Sequence, residues 1–144
     1  MKAGVGFSEH ENSRQAGRGA AEQAVALSGE PALTILFITD SYDAAQVLEA
    51  VRSVVGVSRL VGFCCGGVIA PQGVLRQGVG VCTLAGCFNV IRTTLETGLN
   101  AHPRAVGERV GRALLVEHPT DGLVMVLPDA FQGNLPEMLR GLYN

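Results

Sequence analysis

Short runs of β-branched and aromatic residues alternate along this chain with apolar stripes at helical spacing. Ala32–Thr39 is a run of the first kind, whereas Ala16, Ala20, Ala24 and Leu27 form a stripe of the second kind, which we expect to face inward. Apolar residues recurring every three or four positions indicate a helix, and β-branched or aromatic runs bounded by turn residues indicate strands. The alternation therefore predicts a mixed α/β fold in which helices pack on a mixed sheet.

Caps, glycines and prolines predict where these elements begin and end. Asp43 precedes a helix as its N-cap with Gln46 three residues later, and Asn134 does the same for the last helix. Gly56 marks a helix end, and Pro103 marks a helix start. The predicted strands are Ala3–Phe7, Ala32–Thr39, Arg59–Cys64, Gly78–Leu84, Phe88–Leu95 and Leu123–Leu127.

Two segments of the chain echo each other. Ile35–Tyr42 and Val124–Phe131 each hold an apolar run, an aspartate, a small residue and an aromatic, and each precedes a capped helix. This predicts two strand–helix–strand–helix units with a hairpin between them, although such a pattern also arises by chance. No strand follows the second unit. We therefore expect an open sheet edge at Leu123–Leu127 that pairs two copies into a homodimer, the alternative being a monomer with a covered edge.

Charge and length exclude two classes of partner. The 144 residues carry 11 basic and 13 acidic side chains, without a Lys/Arg run that could neutralise a phosphate backbone. The uncharged stretches Leu60–Leu75 and Gln77–Ile91 contain glycines and fall short of the roughly 20 apolar residues of a membrane span. We predict neither nucleic-acid binding nor membrane insertion.

The N-terminus lacks the pattern of a secretory signal, because its apolar run ends at Phe7. We therefore expect a cytoplasmic protein whose cysteines are thiols without mutual disulfides. The four cysteines are Cys64, Cys65, Cys82 and Cys87.

Polar and glycine residues follow several of the predicted strands. Asp40 lies at the end of one strand, where open α/β sheets place ligands, although it could instead cap the following turn. Gly66 and Gly67 could expose backbone amides to a ligand, or could simply make a tight turn. We expect the strands before these residues and before Ser8 to be parallel neighbours. The resulting ligand-binding concavity would be lined by Ser8, Asp40, Cys64, Cys65, Gly66 and Gly67.

A cysteine-dependent enzyme is the competing interpretation. Cys65 would be its nucleophile, and a histidine would be the base that such chemistry needs. The histidines available are His10, His102 and His118. A buried, inert thiol is the structural alternative. The spacing of the cysteines and histidines gives no zinc motif, so no metal site is predicted.

The order of these pieces resembles the N-terminal FIST domain. The resemblance lies in Gly4–Ser8, the Ala-rich helix, Leu33–Phe37 with Tyr42-Asp43, Leu60–Gly67 and Gly73-Val74. It implies a non-enzymatic sensory module of bacterial signal transduction that binds a small ligand, with amino acids proposed, and that acts on a signalling partner. Haem-binding gas sensing is a second function the resemblance implies; no other cofactor is expected.

Two departures from the family pattern stand out. Val68 occupies a position where the family commonly has an acidic residue, which puts a ligand contact there in doubt. The family's domain also continues beyond the position of Asn144. The resemblance therefore implies one N-terminal sensory domain over residues 1–144 that is incomplete at its C-terminus.

Overall fold

The computed structural model describes residues 1–114, 123–129 and 133–143. The chain forms two compact units, unit 1 (Met1–Ile91) and unit 2 (Arg92–Asn144). The predicted mixed α/β class is confirmed. The described elements are β1 (Lys2–Ser8), α1 (Ser13–Ser28), β2 (Leu33–Thr39), α2 (Ala44–Val55), β3 (Arg59–Cys65), β4 (Val68–Ala70), β5 (Gly73–Leu75), β6 (Val79–Ala85), α3 (Pro103–Leu114) and α4 (Leu135–Leu142).

The sheet of unit 1 has the strand order β1-β6-β2-β3. β6 is antiparallel to both β1 and β2, whereas β2 and β3 are parallel, with Thr39 beside Cys65. The prediction of parallel neighbours is therefore right for β2 and β3. It is wrong for β1, because β6 separates that strand from β2.

The helix layer lies close to the sheet because small residues face each other. Ala16, Ala20 and Ala24 of α1 are fully buried. A Cβ atom on Gly6 would collide with the carbonyl oxygen of Ala20, and one on Gly4 would collide with that of Ala24. The alanine stripe thus packs on β1 as predicted. Leu27, which we expected to face inward, is 65% exposed, because the buried face of α1 ends at Ser28 instead.

The start of α2 is fixed by an N-cap. The Asp43 side chain accepts hydrogen bonds from the backbone N–H groups of Ala45 (3.0 Å) and Gln46 (3.1 Å). The Gln46 side chain donates to the second Asp43 oxygen at 2.9 Å, while the Asp43 N–H donates to Ser13 Oγ at 3.0 Å. The predicted cap is confirmed, but Ser13 supplies the return contact that a capping box assigns to Gln46.

The second face of the sheet is apolar and only partly covered. Val5 on β1 is 56% exposed and Phe63 on β3 is 39% exposed, so β1, whose short apolar run predicts a buried strand, is buried on one face only. The short β4–β5 hairpin covers one end of this face through the buried residues Val68 and Leu75. The segment Pro71-Gln72-Gly73, whose turn residues predict an irregular or hairpin-like region, therefore connects the two strands of this hairpin, with Gly73 at φ +129°.

Two predicted strands are absent. Phe88–Leu95 forms no strand, since β1 and β2 already occupy both edges of β6. Leu123–Leu127 also forms no strand, and Leu123 is 91% exposed. No strand lies in the described residues of unit 2 to pair with it. The prediction of a second strand–helix–strand–helix unit is therefore wrong, and so is the open sheet edge expected at Leu123–Leu127.

Unit 2 is described by the pair α3 and α4. A Cβ on Gly107 would collide with the Met138 carbonyl, and one on Gly141 with the Arg104 carbonyl, so the two helices approach through glycines. Asn134 caps α4 by accepting the N–H of Glu137 at 3.2 Å, as predicted. Pro119 and Asp121-Gly122 predict the end of the helix that begins at Pro103, but these residues lie outside the described part of the chain.

Candidate functional site

The carboxyl ends of β1, β2 and β3 lie at one edge of the sheet of unit 1. Ser8 and Ile38 both lie beside Val79 of β6, and Ile38 also lies beside Cys64 of β3. Neighbouring strands are about 4.8 Å apart, so Ser8 and Cys64 stand roughly 14 Å apart at opposite ends of this row. Asp40 follows the central strand of the row. The structure thus brings Asp40 and the Cys64–Gly67 segment together, and it holds Ser8 at a distance from that segment.

The turn after β2 is rigidly attached to the start of β6. Thr39 is 1% exposed, and its Oγ1 accepts the N–H of Gly78 at 3.1 Å and contacts Ser41 Oγ at 2.9 Å. The Thr39 N–H in turn donates to the Gly78 carbonyl at 3.1 Å. The backbone that carries Asp40 is therefore held in place from both sides.

Asp40 itself is exposed at this turn. No hydrogen bond or ion pair engages its carboxylate in the part of the chain that the structure describes. The helix that follows is capped by Asp43. Of the two roles that the sequence allows for Asp40, capping is therefore performed by another residue.

Ser8 has a local partner. Its Oγ accepts the backbone N–H of His10 at 3.3 Å, and His10 Nδ1 accepts the N–H of Asn12 at 3.0 Å. Asn12 is the N-cap of α1. Ser8 therefore lies at the start of a short chain of hydrogen bonds that leads from the end of β1 into α1.

Tyr42 adds a buried phenol group near this end of the sheet. Its side chain is 7% exposed, and its buried hydroxyl has no hydrogen-bond partner among the described residues. Burial raises the pKa of Tyr42; the nearby Gln77 side chain opposes the rise and the Glu9 carboxylate adds to it. Gln77 is thus close enough to affect the pKa, although it does not reach hydrogen-bonding geometry.

An unpaired buried hydroxyl is costly, by about 1–3 kcal/mol. Packing alone does not require it, since a phenylalanine would fill the same space. A comparison of Ile35–Tyr42 with Val124–Phe131 draws attention to this hydroxyl, because Phe131 stands where the first segment has Tyr42. The hydroxyl is the difference between them.

The glycines after β3 serve the hairpin. Gly66 and Gly67 both lack positive φ, so neither uses the conformation that favours glycine. A Cβ on Gly67 would lie 3.2 Å from the Leu75 carbonyl, which explains a small residue there. Val68 is buried against the sheet, with a methyl group over Gly80, so it faces the hairpin core.

The cysteines form no catalytic pair in the described residues. Cys65 Sγ lies 3.5 Å from the Ile38 carbonyl, and His10, the histidine of unit 1, does not hydrogen-bond to it. Burial raises the pKa of Cys82, which disfavours its thiolate. His118 lies outside the described residues. These contacts give no support to Cys65 as an activated nucleophile.

A metal or haem site would require suitable ligands among the same residues. The described ranges contain no group of three His, Cys, Asp or Glu side chains that could hold a metal ion. His102 is exposed and lines a shallow concavity with Arg104, Glu108 and Glu137. A haem macrocycle needs an apolar slot around its axial ligand, so these charged surroundings do not fit it.

Unit 1 is a mixed α/β domain whose polar groups gather at the carboxyl ends of its parallel strands, where open α/β sheets bind ligands. Residues 32–144 match the FIST N domain, and the chain belongs to this family of signal-transduction sensory domains. The match leaves out β1 and α1, which include the Gly4–Ser8 part of the resemblance. No curated protein matches the chain. None of the described helices is long and apolar enough to cross a bilayer.

Proposed function

We propose that this chain is the ligand-binding part of a bacterial signal-transduction sensor, that it binds amino acids or closely related small molecules, and that it is not an enzyme. Membership of a sensory family supports the class. The observation that carries the ligand site is the buried, unpaired Tyr42 hydroxyl at the strand-end edge. Buried phenol groups usually have a hydrogen-bond partner, and a polar ligand atom would supply one here.

The groups around Tyr42 suit a zwitterion. Glu9 offers a carboxylate to an ammonium group, and Gln77 offers an amide that can donate to a carboxylate. Ser8 ends β1 and Asp40 follows β2 at the same end of the sheet, and they would contribute a hydroxyl and a second carboxylate. We assign the ligand to this side of the edge. Cys64, Cys65, Gly66 and Gly67 would contact only the far end of a longer ligand.

Thermal unfolding in the presence of each amino acid tests this function, because a ligand that binds the folded state raises Tm. We expect at least one amino acid to raise Tm in a dose-dependent manner. Tyr42→Phe should remove that shift or weaken binding by roughly fivefold, since one hydrogen bond is worth about 1 kcal/mol. Its matched control is Tyr143→Phe, which removes a hydroxyl from a tyrosine that is 86% exposed.

Two results would contradict the proposal. One is that no amino acid in the panel raises Tm, with haem measured as a separate arm. The other is a shift that Tyr42→Phe leaves intact, which would move the ligand away from this edge.

We further propose that residues 1–144 act as one domain, because the family match runs through both units. A cytoplasmic setting and a signalling partner protein belong to the same proposal. All four cysteines are free thiols, which is compatible with a reducing compartment. We also propose that the sensor acts as a homodimer.

A further inference from the structure

β3 is an edge strand whose outer backbone is open. The Arg59 N–H donates to the Ala32 carbonyl at 2.9 Å, so Arg59, Val61, Phe63 and Cys65 direct their backbone groups toward β2. In a ladder the intervening residues point the other way. Leu60, Gly62 and Cys64 therefore direct their N–H and C=O groups outward. Among the described residues only β2 pairs with this strand.

β3 has few of the features that normally prevent a free sheet edge from pairing with another chain. Such edges carry inward-pointing charges, proline or bulges. β3 has one charged side chain, Arg59, at its first position, and it has no proline. Gly62, Phe63 and Cys64 are all exposed. This is a seven-residue, nearly neutral template for another strand.

We propose that β3 pairs with the β3 of a second copy, antiparallel and about a two-fold axis at Gly62. The outward groups then match: Gly62 meets the partner's Gly62, and Leu60 meets the partner's Cys64. Each such pair exchanges two hydrogen bonds, which gives about six across the interface. The two four-stranded sheets become one continuous sheet, and the self-matching register is what selects a second copy as the occupant.

The side chains and charges agree with this register. Val61 falls opposite the partner's Phe63, an aromatic and β-branched pair of the kind that stabilises antiparallel strands. Phe63 is already held by an edge-on contact with Phe37, with ring centroids 5.1 Å apart. The two Arg59 side chains lie at opposite ends, roughly 20 Å apart, each facing a neutral cysteine. A glycine at the axis leaves no side chains to clash.

Cys64→Pro tests the pairing, because the Cys64 N–H points away from β2 and would bond only to the second copy. Proline is tolerated where an edge N–H does not serve the sheet of its own chain. By light scattering with size exclusion, the unaltered chain should be a dimer at micromolar concentration. Cys64→Pro should shift it to monomer, and Cys64→Ala, which keeps the N–H, should leave it a dimer. A monomeric unaltered chain overturns the proposal, as does a dimer of folded Cys64→Pro.

Crosslinking tests the register even if the proline variant fails to fold. Arg59 lies opposite the partner's Cys65 in a non-hydrogen-bonded pair, with Cα atoms about 4.5 Å apart, within disulfide range. Arg59→Cys should therefore form a covalent dimer under mild oxidation, and the added Cys65→Ser change should abolish it. Val57→Cys is the control, since Val57 is 96% exposed and would face Gly67. Equal crosslinking in all three variants, or polymers instead of dimers, overturns the register. Ligand binding is tested separately with Tyr42→Phe, which leaves β3 unchanged, so either proposal can fail without the other.

Discussion

Unit 1 and unit 2 both bring their elements together through glycine, yet they differ in what the close approach achieves. In unit 1, Gly4 and Gly6 let α1 approach β1 above a core whose central side chains, Val47 and Val79 among them, are fully buried. In unit 2, Gly107 and Gly141 let α3 and α4 approach, but Val106 and Met138 are the buried large residues described there. Local fit is thus present in both units. A deep apolar core is described only in the first.

The largest effect should come from Gly6→Ala. The added methyl group would collide with the Ala20 carbonyl, so strand or helix must move, at a cost of roughly 3 kcal/mol. Gly19→Ala is its control, because the new Cβ would lie 3.8 Å from Ser8 Oγ, an ordinary contact. That change should instead stabilise α1 by about 0.5–1 kcal/mol. Urea unfolding measures both, and equal effects of one sign would contradict the packing described for unit 1.

A smaller effect is expected from Gly107→Ala. Its methyl group would collide with the Met138 carbonyl and separate α3 from α4, at a cost of about 2 kcal/mol. Since the described core of unit 2 is small, we expect hydrogen exchange of α4 to accelerate while the amides of β2 stay protected. If β2 loses protection to the same extent, the two units do not differ in the way proposed.

The smallest effect concerns the cap of α2. Hydrogen bonds from Gln46, then from Ala45, lower the pKa of Asp43. A lowered folded pKa means that the carboxylate stabilises the fold above the usual aspartate value, and that this contribution is lost as the pH falls through the lowered value. Asp43→Ala should therefore lower Tm at pH 7 by a few degrees, and the difference should shrink in acid as the pH falls through the lowered value.

Asp40→Ala is the control for that cap, because the Asp40 carboxylate has no hydrogen bond among the described residues. It should leave Tm nearly unchanged at pH 7 and in acid and, if Asp40 lies in the ligand site, weaken ligand binding. A Tm loss equal to that of Asp43→Ala would assign Asp40 a structural role instead.

Local signals predicted much of unit 1. Asp43, Gly56 and the alanine stripe act over a few residues, and each marks the boundary or buried face that the structure has. The parallel pair β2 and β3 follows from the helix between them. The position of β6 could not be predicted in this way, because its pairing with β1 joins residues nearly the length of unit 1 apart.

The wrong strands have the same cause. Phe88–Leu95 and Leu123–Leu127 have suitable side chains, but strand formation depends on an available edge, which the segment's own sequence does not reveal. The candidate site was likewise only partly predictable from the sequence. The strand ends that carry Asp40 and Cys65 were predictable from the parallel pair, whereas the burial of the Tyr42 hydroxyl depends on residues distant in sequence.

The central place of β6 also sets an order of events during synthesis. β1, β2 and β3 all leave the ribosome before β6 does, yet β1 has no sheet neighbour until β6 arrives between it and β2. The β2–α2–β3 segment can assemble early because its contacts are short in sequence, whereas closing β1 onto the sheet requires a loop of about 70 residues. In a nascent chain that stalls before Val79, the edges of β1 and β2 that pair with β6 therefore remain unpaired. The time at which β6 is synthesised therefore influences whether unit 1 completes its sheet or exposes unpaired strands to aggregation.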